Sequence, residues 1–97
     1  MTSEHYEIDW NGIKLGITYE PMLWNVTSHL EVRSLTPERA QLPITETGYR
    51  SHFMPIGTIE AEYASAAEFV RAWLDHEAQS KEWLDHVAVS AQGDLFG

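Results

Sequence analysis

Cysteine is absent from the 97 residues, which excludes disulfides, thiolate metal sites and cysteine nucleophiles in one step. Positive charge is scarce. Six Lys and Arg stand against fifteen Asp and Glu, for a formal net charge of −9. Such a surface repels phosphate backbones, so direct nucleic-acid binding is not expected. No segment approaches the ~20 consecutive apolar residues of a membrane span, and the first residues lack the basic stretch and apolar run of a secretory leader. A cytoplasmic protein without membrane contact is the expectation. Glycine-rich phosphate loops, nucleophile elbows and Glu-flanked histidine pairs are also missing. No catalytic residue, metal ligand or cofactor is therefore assigned from sequence.

What is present suffices for one core. Four Trp, four Tyr and three Phe within a 43% hydrophobic chain indicate a globular protein rather than a disordered one. At this length a single domain is expected, drawn here as residues 1–91 with residues 92–97 as a C-terminal tail.

The clearest local signal is Asn11-Gly12 between two alternating runs, because this dipeptide supplies the positive φ angles of a type I′ hairpin turn. The register it implies sets Trp10 opposite Ile13, Ile8 opposite Leu15 and Tyr6 opposite Ile17, all on one face, with Asp9 facing Lys14 on the other. Pro21 is expected to end the second strand. A third strand follows over residues 24–35, with Trp24, Val26, Leu30 and Val32 of one parity and Asn25, Thr27, His29, Glu31 and Arg33 of the other, the second set facing water. Thr36-Pro37-Glu38 reads as the start of a single helical turn. Alternation resumes after Gly48 as a fourth strand, with Tyr49, Ser51 and Phe53 against Arg50, His52 and Met54.

Ser65 and Glu68 form a capping box, and Phe69, Val70, Trp73, Leu74 and Ala78 mark a helical face. Trp83, Leu84, Val87 and Ala88 either continue that helix or begin another after a break near Ser80. The fold class is α+β: an antiparallel sheet of about four strands, opening with a β-hairpin and packed on one face by C-terminal helix, one long or two short.

Polar residues crowd residues 42–53. Pairing of the third and fourth strands would bring His29, Glu31 and Arg33 near Arg50 and His52 on the open face, as a polar or anion-binding patch. Surface pairing of the arginines with Glu31 and Glu46 is the competing reading. Glu46, Tyr49 and His52 are the residues around which a small enzyme would build a site. Asp75-His76 and Asp85-His86 read as solvated helix faces rather than metal ligands.

Gln92-Gly93-Asp94-Leu95-Phe96 resembles the short linear motif by which bacterial replication and repair proteins dock on the DNA polymerase sliding clamp. The resemblance covers these residues alone. It implies that Gln92 makes a polar contact, that Asp94 occupies the acidic or hydroxyl position, and that Leu95 and Phe96 fill an apolar pocket. The expectation is a small acidic bacterial interaction protein with the clamp as a partner. The alternative is an acidic nucleic-acid mimic of the kind mobile elements use against a basic host-defence nuclease. It would require a row of carboxylates on one face.

Overall fold

The computed structural model describes the backbone of residues 3–96 and the side chains of residues 3–89. The elements are β1 (Glu4–Trp10), β2 (Ile13–Leu23), β3 (Thr27–Thr36), β4 (Tyr49–Met54), α1 (Ala66–Glu77) and α2 (Lys81–Phe96). The strands form an antiparallel meander in the order β1-β2-β3-β4. With the helices, this is the expected α+β architecture.

Asn11 and Gly12 take φ angles of 49° and 83°, and the register that this turn dictates is present along the whole of β1, from Trp10 opposite Ile13 to Glu4 opposite Tyr19. Asp9 stands opposite Lys14, although Lys14 makes its ion pair with the diagonal Glu7, at 3.0 Å. Leu15, Ile17 and Tyr19 from β2 and Leu30 and Val32 from β3 are buried in one cluster with Ala66, Val70 and Leu74 of α1. Each large side chain so buried contributes about 1.5–3 kcal/mol. Ser28 and Ser34 share the inward parity and are also buried. Their hydroxyls donate to the Pro21 and Ala40 carbonyls, both at 2.7 Å, which removes the cost of burying them.

Three expectations are corrected. β2 does not end at Pro21 but continues to Leu23 through a register shift between Glu20 and Leu23, an irregularity at which the missing proline donor is tolerated. Trp24 and Val26 are not inward residues of a third strand. Trp24 and Asn25 adopt left-handed φ angles of 56° and 58°, and Val26 N–H donates to the Leu23 carbonyl at 3.1 Å. They form the β2–β3 turn, with Trp24 72% and Val26 75% exposed. Thr36-Pro37-Glu38 starts no helix. A turn closed by Ala40 N–H on the Pro37 carbonyl at 3.1 Å leads instead into a strap, residues 40–47, that buries Leu42 and Ile44 in the core.

Gly48 returns the strap to β4. Its φ is 79°, and a Cβ there would lie 2.6 Å from the Arg39 backbone, so no other residue fits without moving the chain.

Ser65 caps α1 by accepting from Glu68 N–H at 3.3 Å, while the Glu68 carboxylate accepts from Ala64 N–H at 3.2 Å, one residue before the expected partner. The helical region breaks after Glu77 and restarts at Lys81, where Ser80 Oγ accepts from Trp83 N–H at 3.2 Å. Both helices meet Trp10. Its indole N–H donates to Asp75 at 2.9 Å, and its ring lies 5.8 Å from that of Trp83. Asp75 is thus a partner of the sheet and not a purely solvated residue. α2 runs across the 91/92 boundary drawn from the sequence.

Equilibrium denaturation of three variants checks this account. Leu30→Ala lowers stability by about 2–5 kcal/mol, and Ser65→Ala by about 1 kcal/mol. Trp24→Gly raises it by about 0.5–1 kcal/mol, because left-handed backbone costs a non-glycine residue roughly 1–2 kcal/mol and glycine returns part of that in chain entropy.

Candidate docking surfaces

The polar residues of β3 and β4 separate by parity. Arg33 stands opposite Tyr49, Glu31 opposite Ser51 and His29 opposite Phe53, whereas Val32 stands opposite Arg50 and Leu30 opposite His52. Cross-strand partners share a face. His29, Glu31 and Arg33 therefore join Tyr49, Ser51 and Phe53 on the open face, and Arg50 and His52 join Leu30 and Val32 on the helix side. The structure does not assemble the five-residue patch expected from sequence.

On the open face, His29 Nε2 and Ser51 Oγ are 2.7 Å apart, and Tyr49 Oη donates to Glu31 Oε1 at 3.1 Å. The Arg33 guanidinium lies over the Tyr49 ring, 5.3 Å from its centroid. Burial and the Glu31 carboxylate hold the Tyr49 phenol above its ordinary pKa, so Tyr49 is a hydrogen-bond donor at neutral pH. Gly16 leaves a shallow depression of 290 Å³ among Thr18, Glu31, Arg33, Leu35 and Tyr49. Neither arginine forms an ion pair among the described residues, where Lys14–Glu7 and Lys81–Asp85 are the pairs present.

On the helix side, Trp73 collects the other two residues. Its ring lies 5.0 Å from that of His52 and 5.6 Å from the Arg50 guanidinium carbon. Arg50 also donates to the Ile44 carbonyl at 3.4 Å, tying the strap to β4. Tyr49 and His52 thus face opposite ways. Glu46 lines a groove along the β4 edge with Tyr49, Arg50, Ser51 and Glu82, while His52 packs against Trp73.

Sequence reasoning missed the end of the sheet where β2 turns into β3. Met22, Trp24 and Val26 are all exposed there, and Phe53 and Ile56 add exposed apolar surface from β4 and the following turn. Thr27 Oγ1 donates to the Met54 carbonyl at 2.8 Å, which holds the two segments at the same end. A bulky indole at positive φ, mostly in solvent, is favoured by neither backbone nor burial. Pro21 signalled a strand end and a turn at Met22-Leu23, and Asn25, a residue tolerant of left-handed backbone, marks where the turn falls.

A family model described as KlcB third domain matches residues 3–83. The chain belongs to the KlcB third-domain family. The match takes in the whole sheet, the strap and α1, and stops at Trp83. Most of α2 lies beyond it, with the Gln92 to Phe96 segment, whose side chains are outside the described residues. Comparisons with curated proteins and with solved structures give no match.

Within this KlcB third domain, His52 has a shifted proton affinity. Burial lowers its pKa below the ordinary value, and the Arg50 charge lowers it further. The unfolded chain therefore binds the proton more tightly than the folded one. The stability this confers is full above about pH 6.5 and is lost as pH falls through the folded pKa. His52→Gln should flatten the decline in stability between about pH 7.5 and 5 measured by urea unfolding, relative to the wild type.

Proposed function

We propose that this domain is a non-enzymatic bacterial interaction module that joins two protein partners. The observation that carries the reading is Trp24, held 72% exposed at a left-handed turn between the exposed Met22 and Val26. Tryptophan is among the residues that dominate binding energy at protein interfaces, and an apolar tip of this kind gains by entering a partner's pocket. The charge of −9 disfavours an anionic lipid surface or nucleic acid as the ligand of that tip.

The second partner in this reading is the DNA polymerase sliding clamp, engaged through Gln92, Asp94, Leu95 and Phe96. Support comes from the motif resemblance and from its placement. Residues 92–96 form the end of α2, where main-chain carbonyls lack intrahelical partners, and Gly93 lowers the local helix preference by about 1 kcal/mol. Unwinding this end into an extended ligand costs little. α2 begins beside Trp10, next to the Asn11-Gly12 turn, whereas Trp24 lies at the far end of β2. The two attachment points therefore start from opposite ends of the sheet, a placement suited to an adaptor in the cytoplasm. Membership of the KlcB third-domain family supports a plasmid-associated setting for it.

The carboxylates do not favour the mimic reading. Acids occur on every strand but β4, on the strap and on both helices, with Lys14 and Arg33 interleaved on the open face.

Calorimetric titration of purified sliding clamp tests the tail. The full chain should bind with a Kd on the order of micromolar, and Leu95→Ala/Phe96→Ala should weaken binding at least tenfold. Equal or absent binding by both proteins would remove the clamp from the proposal.

A further inference from the structure

Two strands end the sheet, and they are unequally protected. β1 places His5, Glu7 and Asp9 outward, and Arg71 Nη1 donates to the Asp9 carbonyl at 3.1 Å. Charge and a covering side chain blunt that edge.

The second half of β4 has neither device. Ser34 N–H donates to the Gly48 carbonyl at 2.8 Å and Arg33 stands opposite Tyr49, which fixes the phase of the ladder. Arg50, His52 and Met54 turn their main-chain groups towards β3, so Tyr49, Ser51 and Phe53 turn theirs outward. The Tyr49 carbonyl is satisfied by the Thr45 and Thr47 hydroxyls at 2.8 and 3.3 Å. The outward N–H and C=O groups of Ser51 and Phe53 have no protein partner among the described residues.

The side chains around this gap indicate what fills it. On the open face, Phe53 is 56% exposed and stacks on His29 with centroids 4.4 Å apart, forming an apolar shelf. Along the edge and onto the helix side runs an open groove of 520 Å³, lined by the strap with its Glu46, by Tyr49, Arg50 and Ser51 of β4, and by Glu82 and Trp83. Glu77 lies beside Arg50 and Trp73 in the adjoining hollow. Three carboxylates against one guanidinium make that side negative, and burial keeps His52 from adding a positive charge at neutral pH.

We propose that the Ser51–Phe53 edge receives an extended segment of a partner protein as a fifth strand. Apolar side chains of that segment lie over Phe53 and alternate with basic side chains turned towards Glu46, Glu77 and Glu82. Strand addition takes its affinity from main-chain hydrogen bonds and its selectivity from alternate side chains. The open half of β4 is the half nearest Trp24, so the added strand runs beside the apolar tip. The inference rests on reading the domain as an interaction module and is independent of the tail.

Amide hydrogen exchange followed by NMR on the full chain tests it, with two acetylated hexapeptides as probes, one alternating Val and Lys and one alternating Val and Glu. In the free protein, the Ser51 and Phe53 amides should exchange at least tenfold faster than those of Arg50 and His52. The Val-Lys peptide at ~1 mM, suited to a weak complex, should slow Ser51 and Phe53 at least fivefold, and the Val-Glu peptide should not. Phe53→Lys, a change at an exposed position, should abolish the effect while Arg50 and His52 stay protected. Leu95→Ala/Phe96→Ala should respond as the wild type does, which separates this site from the tail. The proposal is overturned by unchanged exchange with the Val-Lys peptide, by equal protection from both peptides, or by protection that survives Phe53→Lys. Protection in the free protein together with a dimer in analytical ultracentrifugation would also overturn it, assigning the edge to a second copy.

Discussion

The structure depends on burying one face of a thin sheet. Leu15, Ile17, Leu30 and Val32 are wholly inward, and a four-stranded meander has nothing of its own with which to cover them. α1 supplies Val70 and Leu74, the strap supplies Leu42 and Ile44, and the turn region before α1 supplies Ile59. None of these pieces is stable in isolation, since each exposes the surface that the others hide. The buried hydroxyls fit the same scheme. Ser28 secures the bulge at Pro21 and Ser34 secures the strap at Ala40, so the places where alternation yields to serine are the places where irregular chain is tied to the sheet.

One-sided burial also sorts the polar residues. Arg50 and His52 contribute to the packing around Trp73, and His29, Glu31 and Arg33 lie on the other side, the first two half-buried and Arg33 exposed. A sheet residue cannot serve both faces, because neighbours along a strand point in opposite directions. The chemistry that looked concentrated in residues 42–53 is thereby divided. What the fold leaves open is main chain at one edge and apolar surface at one end, both of which suit recognition of another protein.

The legible parts of the fold were those governed by local rules. Asn11-Gly12 determined a turn and, through it, the register of β1 on β2. Alternation located β4, and the Ser65 cap and the break near Ser80 marked the helices. The parts that could not be read involve competition between levels. Trp24 and Val26 carry the right parity for the core, yet the turn at Trp24-Asn25 removes them from it. Pro37 occupies a good first helical position, but burial of Leu42 and Ile44 draws the following chain into a strap. The candidate patch failed for a related reason. Antiparallel pairing keeps opposed residues on one face, so whether Arg33 meets Tyr49 or Arg50 depends on a single-residue step that Gly48, held against Arg39, fixes through space.

Trp10 and Trp83 form an aromatic pair across the junction of β1 and α2. The two indoles are 5.8 Å apart and inclined at 52°, close enough and skewed enough for their electronic transitions to couple. Such coupling splits the absorption band into two components of opposite rotational strength. The junction between β1 and α2 thus carries its own circular dichroism couplet, distinct from the backbone signal and dependent on both rings keeping their mutual orientation. Separation of α2 from the sheet would extinguish it without any strand or helix having melted, which gives the attachment of α2 an optical reading separate from the folding of the domain.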